Sequence, residues 1–261
     1  MRLPASQALV PELLVRPSSP STNAELAALA RAGVLPSFTT LVTDDQTAGR
    51  GRLDRSWVAP AGSALAISVL VVPRTSDGEL AFDRFGWLPI AAGVAMVEAV
   101  AAVLPAASVG FKWPNDVLIA GRKVCGVLAE LVPERGAVVI GAGVNLAMTA
   151  EQLPVASATS IAVEGASPEA DAVLAGYLER LRRHIDGYLA AGGDAVSSGL
   201  AALATDLCMT LGREVLVELP DGRVVEGTAT ELDPDGRLIV RDAGDRLHVV
   251  AAGDVTHARL A

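Results

Sequence analysis

The chain has 261 residues, 51% hydrophobic, 20% charged and 3% aromatic, with a formal net charge of -9. That length supplies a large core in one domain, or in one large and one small domain, and the scarcity of aromatics makes the core aliphatic. The acidic balance argues against a nucleic-acid duplex or a membrane surface as the main partner. The two cysteines, Cys125 and Cys208, form no CxxC pair and accompany three histidines, which excludes a structural zinc cluster and fits a reducing cytosol.

The first 20 residues read as a turn or extended lead-in. Pro4 and Pro11 interrupt them, so they are not read as a signal peptide. No run reaches the roughly 18 apolar residues, free of charge or breaker, that a bilayer crossing needs. Ser21-Thr22-Asn23-Ala24-Glu25 opens a helix with a good N-cap and an acid in the first turn. Leu26, Leu29 and Ala30 give it an apolar stripe, and Gly33 ends it. Taken alone, the three polar residues at 21–23 are capping residues.

Phe38 to Thr43 reads as a strand, and it leads into Asp45-Gln46-Thr47-Ala48-Gly49-Arg50-Gly51-Arg52-Leu53-Asp54-Arg55-Ser56-Trp57. Three guanidiniums within six residues repel one another unless an anion sits among them. Arginine suits phosphate and carboxylate because its planar fork makes bidentate, charge-assisted bonds. Gly49 and Gly51 permit positive φ and let the backbone approach a ligand closely. The run therefore reads as an anion-binding loop for a small ligand.

Ala64 to Val72 is a nearly continuous apolar run, a strand buried on both faces. Leu88 to Val103 has helical spacing, with Pro105 beyond its end. Val109 to Ile119 and Lys123 to Leu131 read as two strands joined by a tight turn at Ala120 to Arg122. A third strand, Ala137 to Ile140, runs into Gly141-Ala142-Gly143-Val144-Asn145. Sequential hairpin-like strands point to an antiparallel or mixed sheet rather than to alternating βαβ units. Lys112-Trp113-Pro114-Asn115-Asp116 interrupts the first of these strands, because Pro114 removes a ladder donor. Lys123 lies on an apolar strand, where a charge needs either a partner or a path to solvent.

From Ser167 to Leu203 the pattern is helical, with Leu174, Leu178, Leu181, Ile185 and Leu189 on one face. Beyond a boundary at Thr205 to Cys208 come short strands, Glu214–Leu219, Val224–Leu232, Arg237–Arg241 and Leu247–Val250, separated by Asp-Gly and Ala-Gly turns. That spacing predicts a barrel of about 50 residues. The expected domains are thus 1–206 and 207–261.

In order, Ser21-Thr22-Asn23, Gln46 with Gly49-Arg50-Gly51-Arg52-x-x-Arg55-x-Trp57, Lys112-Trp113-Pro114-Asn115-Asp116, Lys123-x-x-Gly126 and Gly141-Ala142-Gly143-Val144-Asn145 closely resemble biotin protein ligase. The resemblance implies an α+β fold: a class II aminoacyl-tRNA-synthetase-like catalytic domain, a mixed sheet flanked by helices, followed by a small SH3-like β-barrel. Twenty residues before Ser21 are too few for the winged helix of the members that also repress transcription, so the chain resembles the monofunctional, non-DNA-binding type. The implied reaction activates biotin with ATP and Mg²⁺ to biotinyl-5′-AMP and pyrophosphate. It then transfers biotin to a lysine of a biotin carboxyl carrier protein domain, in the cytoplasm.

By the same resemblance, Lys123, Arg52 and Arg55 are catalytic. Ser21, Thr22, Asn23, Gln46, Arg50, Gly51, Arg52, Lys123 and Gly126 hold biotin. Arg52, Arg55, Trp57, Asn115, Asp116 and Asn145 line the ATP and adenylate side, with no metal ligand assigned. Cys125 stands where the family often has a small residue such as Ala, a tolerable change. Gly253-Asp254-Val255-Thr256 fits the family's closing strand, and either His257 or Arg259 could be the basic residue expected after it. The nearest rival is a lipoate ligase of the same superfamily, against which the GRGRxxRxW and KWPND stretches argue. An inactive binder and a DNA-binding regulator are the others. The loop charge disfavours the first of these and the net charge the second.

Overall fold

The computed structural model describes residues 1–52, 55–251 and 253–257. A seven-stranded mixed sheet forms its centre, ordered β1-β2-β5-β11-β10-β9-β8. Its strands are β1 (Leu13–Val15), β2 (Thr40–Thr43), β5 (Ala64–Val71), β8 (Val109–Lys112), β9 (Asp116–Ile119), β10 (Arg122–Val132) and β11 (Ala137–Asn145). Only β1 and β2 run parallel; the other neighbours are antiparallel. All eight residues of β5 are buried, as expected for an apolar strand covered on both faces.

Short pieces complete this part of the chain: α1 (Pro4–Gln7), the two-residue strands β3 (Gly49–Arg50) and β4 (Ser56–Trp57), and the small hairpin β6 (Arg74–Thr75) with β7 (Gly78–Glu79). Helix α2 (Thr22–Ala32) lies against one face of the sheet through Leu26, Ala27 and Ala30, which cluster with Leu41, Leu70 and Val139. Helices α3 (Trp87–Val103) and α4 (Ala170–Ala190) belong to the main core on the other face. The stretch Phe82–Val103 is long and apolar enough to suit a bilayer, but here it is a core helix buried between sheet and α4. Pro89 falls in its first turn, where the missing N–H costs nothing.

Two expectations need correction. The run 109–119 is not one kinked strand: it folds back at the cis Trp113–Pro114 peptide, and β8 and β9 pair with each other. The helical pattern from 167 to 203 is broken. Helix α4 stops at Ala190, Gly192 and Gly193 take φ of 66° and 80°, and a shorter α5 (Leu200–Leu207) follows. Left-handed glycines end helices because no Cβ opposes that conformation.

The tail forms an antiparallel five-stranded sheet ordered β15-β14-β13-β12-β16, the barrel that its Asp-Gly turns predict. The strands are β12 (Glu214–Glu218), β13 (Val224–Leu232), β14 (Leu238–Arg241), β15 (Leu247–Val250) and β16 (Asp254–His257). Two buried indoles hold it against the first part of the chain. Trp87 Nε1 donates to Pro234 O at 2.8 Å, and Trp113 Nε1 donates to Gly236 O at 3.0 Å. Both acceptors lie in the turn between β13 and β14, so the barrel is joined to the rest of the chain at a fixed point.

Candidate active site

The cleft is built where α2 begins, on the face of the sheet formed by β5, β11 and β10. Ser21 caps α2 by accepting from Ala24 N at 3.4 Å, so its hydroxyl and the next two residues stand at the mouth of the helix. Gln46 Oε1 accepts from Thr22 N at 2.9 Å and Thr22 Oγ1 at 3.1 Å. Asn23 Nδ2 donates to Leu128 O at 3.1 Å and to Glu130 Oε2 at 2.8 Å. Ser68, fully buried in the middle of β5, donates to Asn23 Oδ1 at 2.6 Å.

The floor is made of glycine for steric reasons. A Cβ at Gly141 would lie 2.3 Å from Asn23 Oδ1, and one at Gly143 would lie 2.7 Å from the Trp57 ring. Gly141-Ala142-Gly143 is therefore strand, not a glycine-rich turn.

The Gly-Arg run forms a small hairpin over this floor, with β3 and β4 pairing and Gly51 N donating to Arg55 O at 2.6 Å. Leu53 and Asp54 lie outside the described residues. Gly49 and Gly51 do not use the positive φ that glycine permits. Gly49 is needed for space instead: a Cβ would meet Trp57 O at 2.5 Å and Gln46 Nε2 at 2.6 Å.

Lys123 reaches the cleft through an irregularity in β10. In a regular strand, residues 123 and 126, an odd number apart, point to opposite faces. The β9–β10 register shifts between Lys123 and Cys125, leaving Val124 as an extra residue, and Lys123 and Gly126 both line the cleft. Val124 and Cys125 are both buried in the core. Burial pushes the Cys125 thiol up to about 12, opposed by nearby Lys123 and reinforced by Asp116, so this cysteine is no nucleophile.

Most of the cleft's cations already have carboxylate partners. Lys123 Nζ lies 2.6 Å from Asp116 Oδ1, Arg50 Nη2 donates to Glu130 at 2.9 and 3.1 Å, and Arg55 pairs with Asp254 of the barrel. Arg52 differs. Its bond is to a neutral acceptor, Asn115 Oδ1 at 3.2 Å, and among the described residues it has no ion pair. Burial lowers its pKa, and nearby Arg55 adds to this, while Asp116 and Asp254 oppose it. A partly desolvated guanidinium bonded to an amide is the cation most ready to receive an anion.

All but one of the residues expected from the sequence meet here; Ser21, Gly51, Trp57 and Asn115 also line the cleft. Asn145 does not. It is buried at the end of β11, where its Nδ2 donates to Thr159 O at 2.9 Å. Sequence reasoning missed Ser68, Glu130, Gly253 and Asp254. Ser68 is hidden in an apolar run, and Asp254 comes from the other end of the chain.

Residues 16–145 match the biotin/lipoate A/B protein ligase family, and residues 210–257 match the biotin protein ligase C terminal domain. The chain is 38% identical over 241 residues to a biotin–[acetyl-CoA-carboxylase] ligase of Mycobacterium tuberculosis, covering 92% of this chain and 86% of that protein. Against the enzyme of the same name from Paracoccus denitrificans, identity is 43% over 131 residues, 49% of this chain and 51% of the other.

Among solved structures, the Aquifex aeolicus biotin protein ligase in complex with biotin and ATP superposes with a TM-score of 0.75 at 24% identity, covering 96% of this chain and all of that one (100%). The Leishmania major ligase in complex with biotinyl-5-AMP gives 0.62 at 25% identity, covering 93% and 99%. With both parts of the fold matched and a relative aligned along nearly the whole length, the chain belongs to the biotin protein ligase family.

Proposed function

We propose that the chain activates biotin with ATP to biotinyl-5′-AMP, releasing pyrophosphate, and transfers biotin to a lysine of a biotin carboxyl carrier protein domain of an acyl-CoA carboxylase. The observation that carries this reading is the convergence of Arg52, Arg55 and Lys123 on one cleft whose only ready-made vacancy for an anion, among the described residues, is at Arg52.

Joining a carboxylate to a polyphosphate requires two anions to be held close together while water is kept out. Fixed positive charge does that work better than a proton-transfer group. Arg52 and Lys123 hold the biotin carboxylate and the α-phosphate as charge moves between them, and Arg55 exchanges Asp254 for phosphate. Thr22, Asn23 and Gln46 bind the biotin rings, with Ser21 at the mouth. Arg50 and Gly51 fold the hairpin over them, and Gly126 leaves the strand open. Trp57 covers the nucleotide side, and Asn115 orients Arg52.

In the second step the carrier's lysine amine attacks the acyl carbon of the anhydride, AMP leaves with the bonding electrons, and the amine gives up its proton as the amide forms. Magnesium fits this cleft as an ion held largely by ATP phosphates. Such an ion takes one or two carboxylates from the protein, and Asp116 and Asp254 are the carboxylates that line the cleft. It would neutralise charge on the leaving pyrophosphate.

We place the catalytic domain at 1–206 and the barrel at 207–261, and read the protein as a cytoplasmic enzyme. The test is biotin-dependent exchange between ATP and labelled pyrophosphate, followed by labelling of a purified carrier domain. Exchange supported by lipoate and not by biotin would assign the chain to the lipoate ligases instead.

A further inference from the structure

We propose that Glu130 is a positioning residue for the biotin end of the cleft, acting on the Gly-Arg hairpin through Arg50 and on the mouth of α2 through Asn23. This inference rests on the reading of the cleft as a biotin site. Glu130 does not line the cleft; it lies just behind it on β10, paired with Val139 in the ladder. It shares a face of the strand with Gly126 and Leu128, which do line the floor.

From there its carboxylate takes two different partners. Arg50 Nη2 donates to Oε1 at 2.9 Å and Oε2 at 3.1 Å, and Asn23 Nδ2 donates to Oε2 at 2.8 Å. The first contact ties β3, the leading edge of the hairpin, to the central sheet, and it commits the Arg50 head group to the protein rather than to an anion.

The second contact fixes how Asn23 faces a ligand. Both of its amide protons are used, on Glu130 and on Leu128 O, while Ser68 donates to its oxygen. The amide therefore cannot turn over without breaking three bonds, and only the remaining lone pair of Oδ1 is left for a ligand. A chain of bonds thus runs Arg50–Glu130–Asn23–Ser68, from the Gly-Arg hairpin to a fully buried strand.

As a surface ion pair alone, Glu130 would matter little, since solvated pairs contribute little to stability. As a shared acceptor it sets two elements of the site at once. The experiment measures biotin affinity by calorimetry and folded fraction by thermal melting on the full chain. The variants are Glu130→Gln, Glu130→Asp, Arg50→Ala and the Glu130→Gln/Arg50→Ala pair.

Glu130→Gln and Arg50→Ala each weaken biotin by roughly five- to tenfold, as for loss of a charge-assisted bond. The double variant is no weaker than the worse single one, KM for ATP stays within about twofold because the contacts lie at the other end of the cleft, and Glu130→Asp falls between parent and Gln. Parental affinity in Glu130→Gln, fully independent losses in the double variant, or a loss explained entirely by unfolded protein would each overturn the proposal. A parent that binds no biotin would overturn the reading of the cleft itself, a distinct result.

Discussion

Lys123 Nζ and Asp116 Oδ1 stand 2.6 Å apart across β9 and β10. Gly126, the ladder partner of Asp116, leaves room for this contact: a Cβ there would lie 3.0 Å from the ammonium. The lysine is thus held in place before any anion arrives and need only change partner. We expect Lys123→Ala to slow biotin-dependent pyrophosphate exchange by about 10²-fold, the scale of losing one fixed charge at a developing anion. Its melting temperature should stay near the parent's, since the side chain is 42% exposed. An exchange rate equal to the parent's would remove Lys123 from the chemistry.

Glycines in this chain should split sharply by environment. At Gly141 an added methyl meets Asn23 Oδ1 at 2.3 Å, and Asn23 cannot retreat from its bonds to Ser68, Leu128 and Glu130. Gly141→Ala should cost about 1–3 kcal/mol of stability as overpacking and abolish measurable biotin binding. Gly187 sits in α4 and is exposed, with open space around its Cβ position. Gly187→Ala should stabilise by about 0.5–1 kcal/mol. Denaturant melts of the two variants, with calorimetry, test the contrast.

The joint to the barrel offers a third test. Trp113 is 2% exposed and its indole N–H is used on Gly236 O. Trp113→Phe keeps the ring but leaves that carbonyl without its donor, at an expected cost of about 2 kcal/mol from the lost bond and reduced packing. The turn it holds leads on to β16, which brings Asp254 to Arg55. KM for ATP should therefore rise while KM for biotin changes less; equal rises would place the joint outside the nucleotide side.

A pH dependence follows from Asp171. Burial pushes its carboxyl upward, but bonds from the Ser6 hydroxyl and the Ala5 and Ser6 N–H groups outweigh this, and the net pKa lies below the usual value. A depressed carboxylate contributes stability that is fully present above its unfolded pKa, about 3.9, and is lost as pH falls through the folded value. Asp171→Asn, which loosens α1, should cost about 1 kcal/mol at neutral pH. The gap between the two melting curves should close below about pH 4; a gap independent of pH would contradict this assignment.

The legible parts of this molecule were those in which residue type itself carries the chemistry. Three arginines in six residues announce an anion, the apolar run from Ala64 to Val72 announces a covered strand, and Asp-Gly pairs announce turns. What stayed hidden depends on which distant residues meet. Ser68 reads as one polar residue in an apolar strand until Asn23 is placed beside it. Glu130 looks like an ordinary outward-facing strand residue, and Asp254 lies 199 positions from the arginine it pairs with. Asn145 is the opposite case: its motif lies beside the floor of the cleft, while its own amide donates to Thr159 O and it is not among the lining residues. The helix break at Gly192 and Gly193 was written in the sequence as a glycine pair but was outweighed by the long leucine periodicity around it.

The extra residue at Val124 has a further consequence. Removing it would leave every charged and polar group of the cleft in the chain, yet it would turn the strand beyond by half a pleat. Either the ammonium or the glycine-floored segment would then face the hydrocarbon interior. Function here depends on a residue count as much as on residue chemistry, so a single-codon deletion at this point should inactivate the protein more completely than substitution of any one cleft side chain.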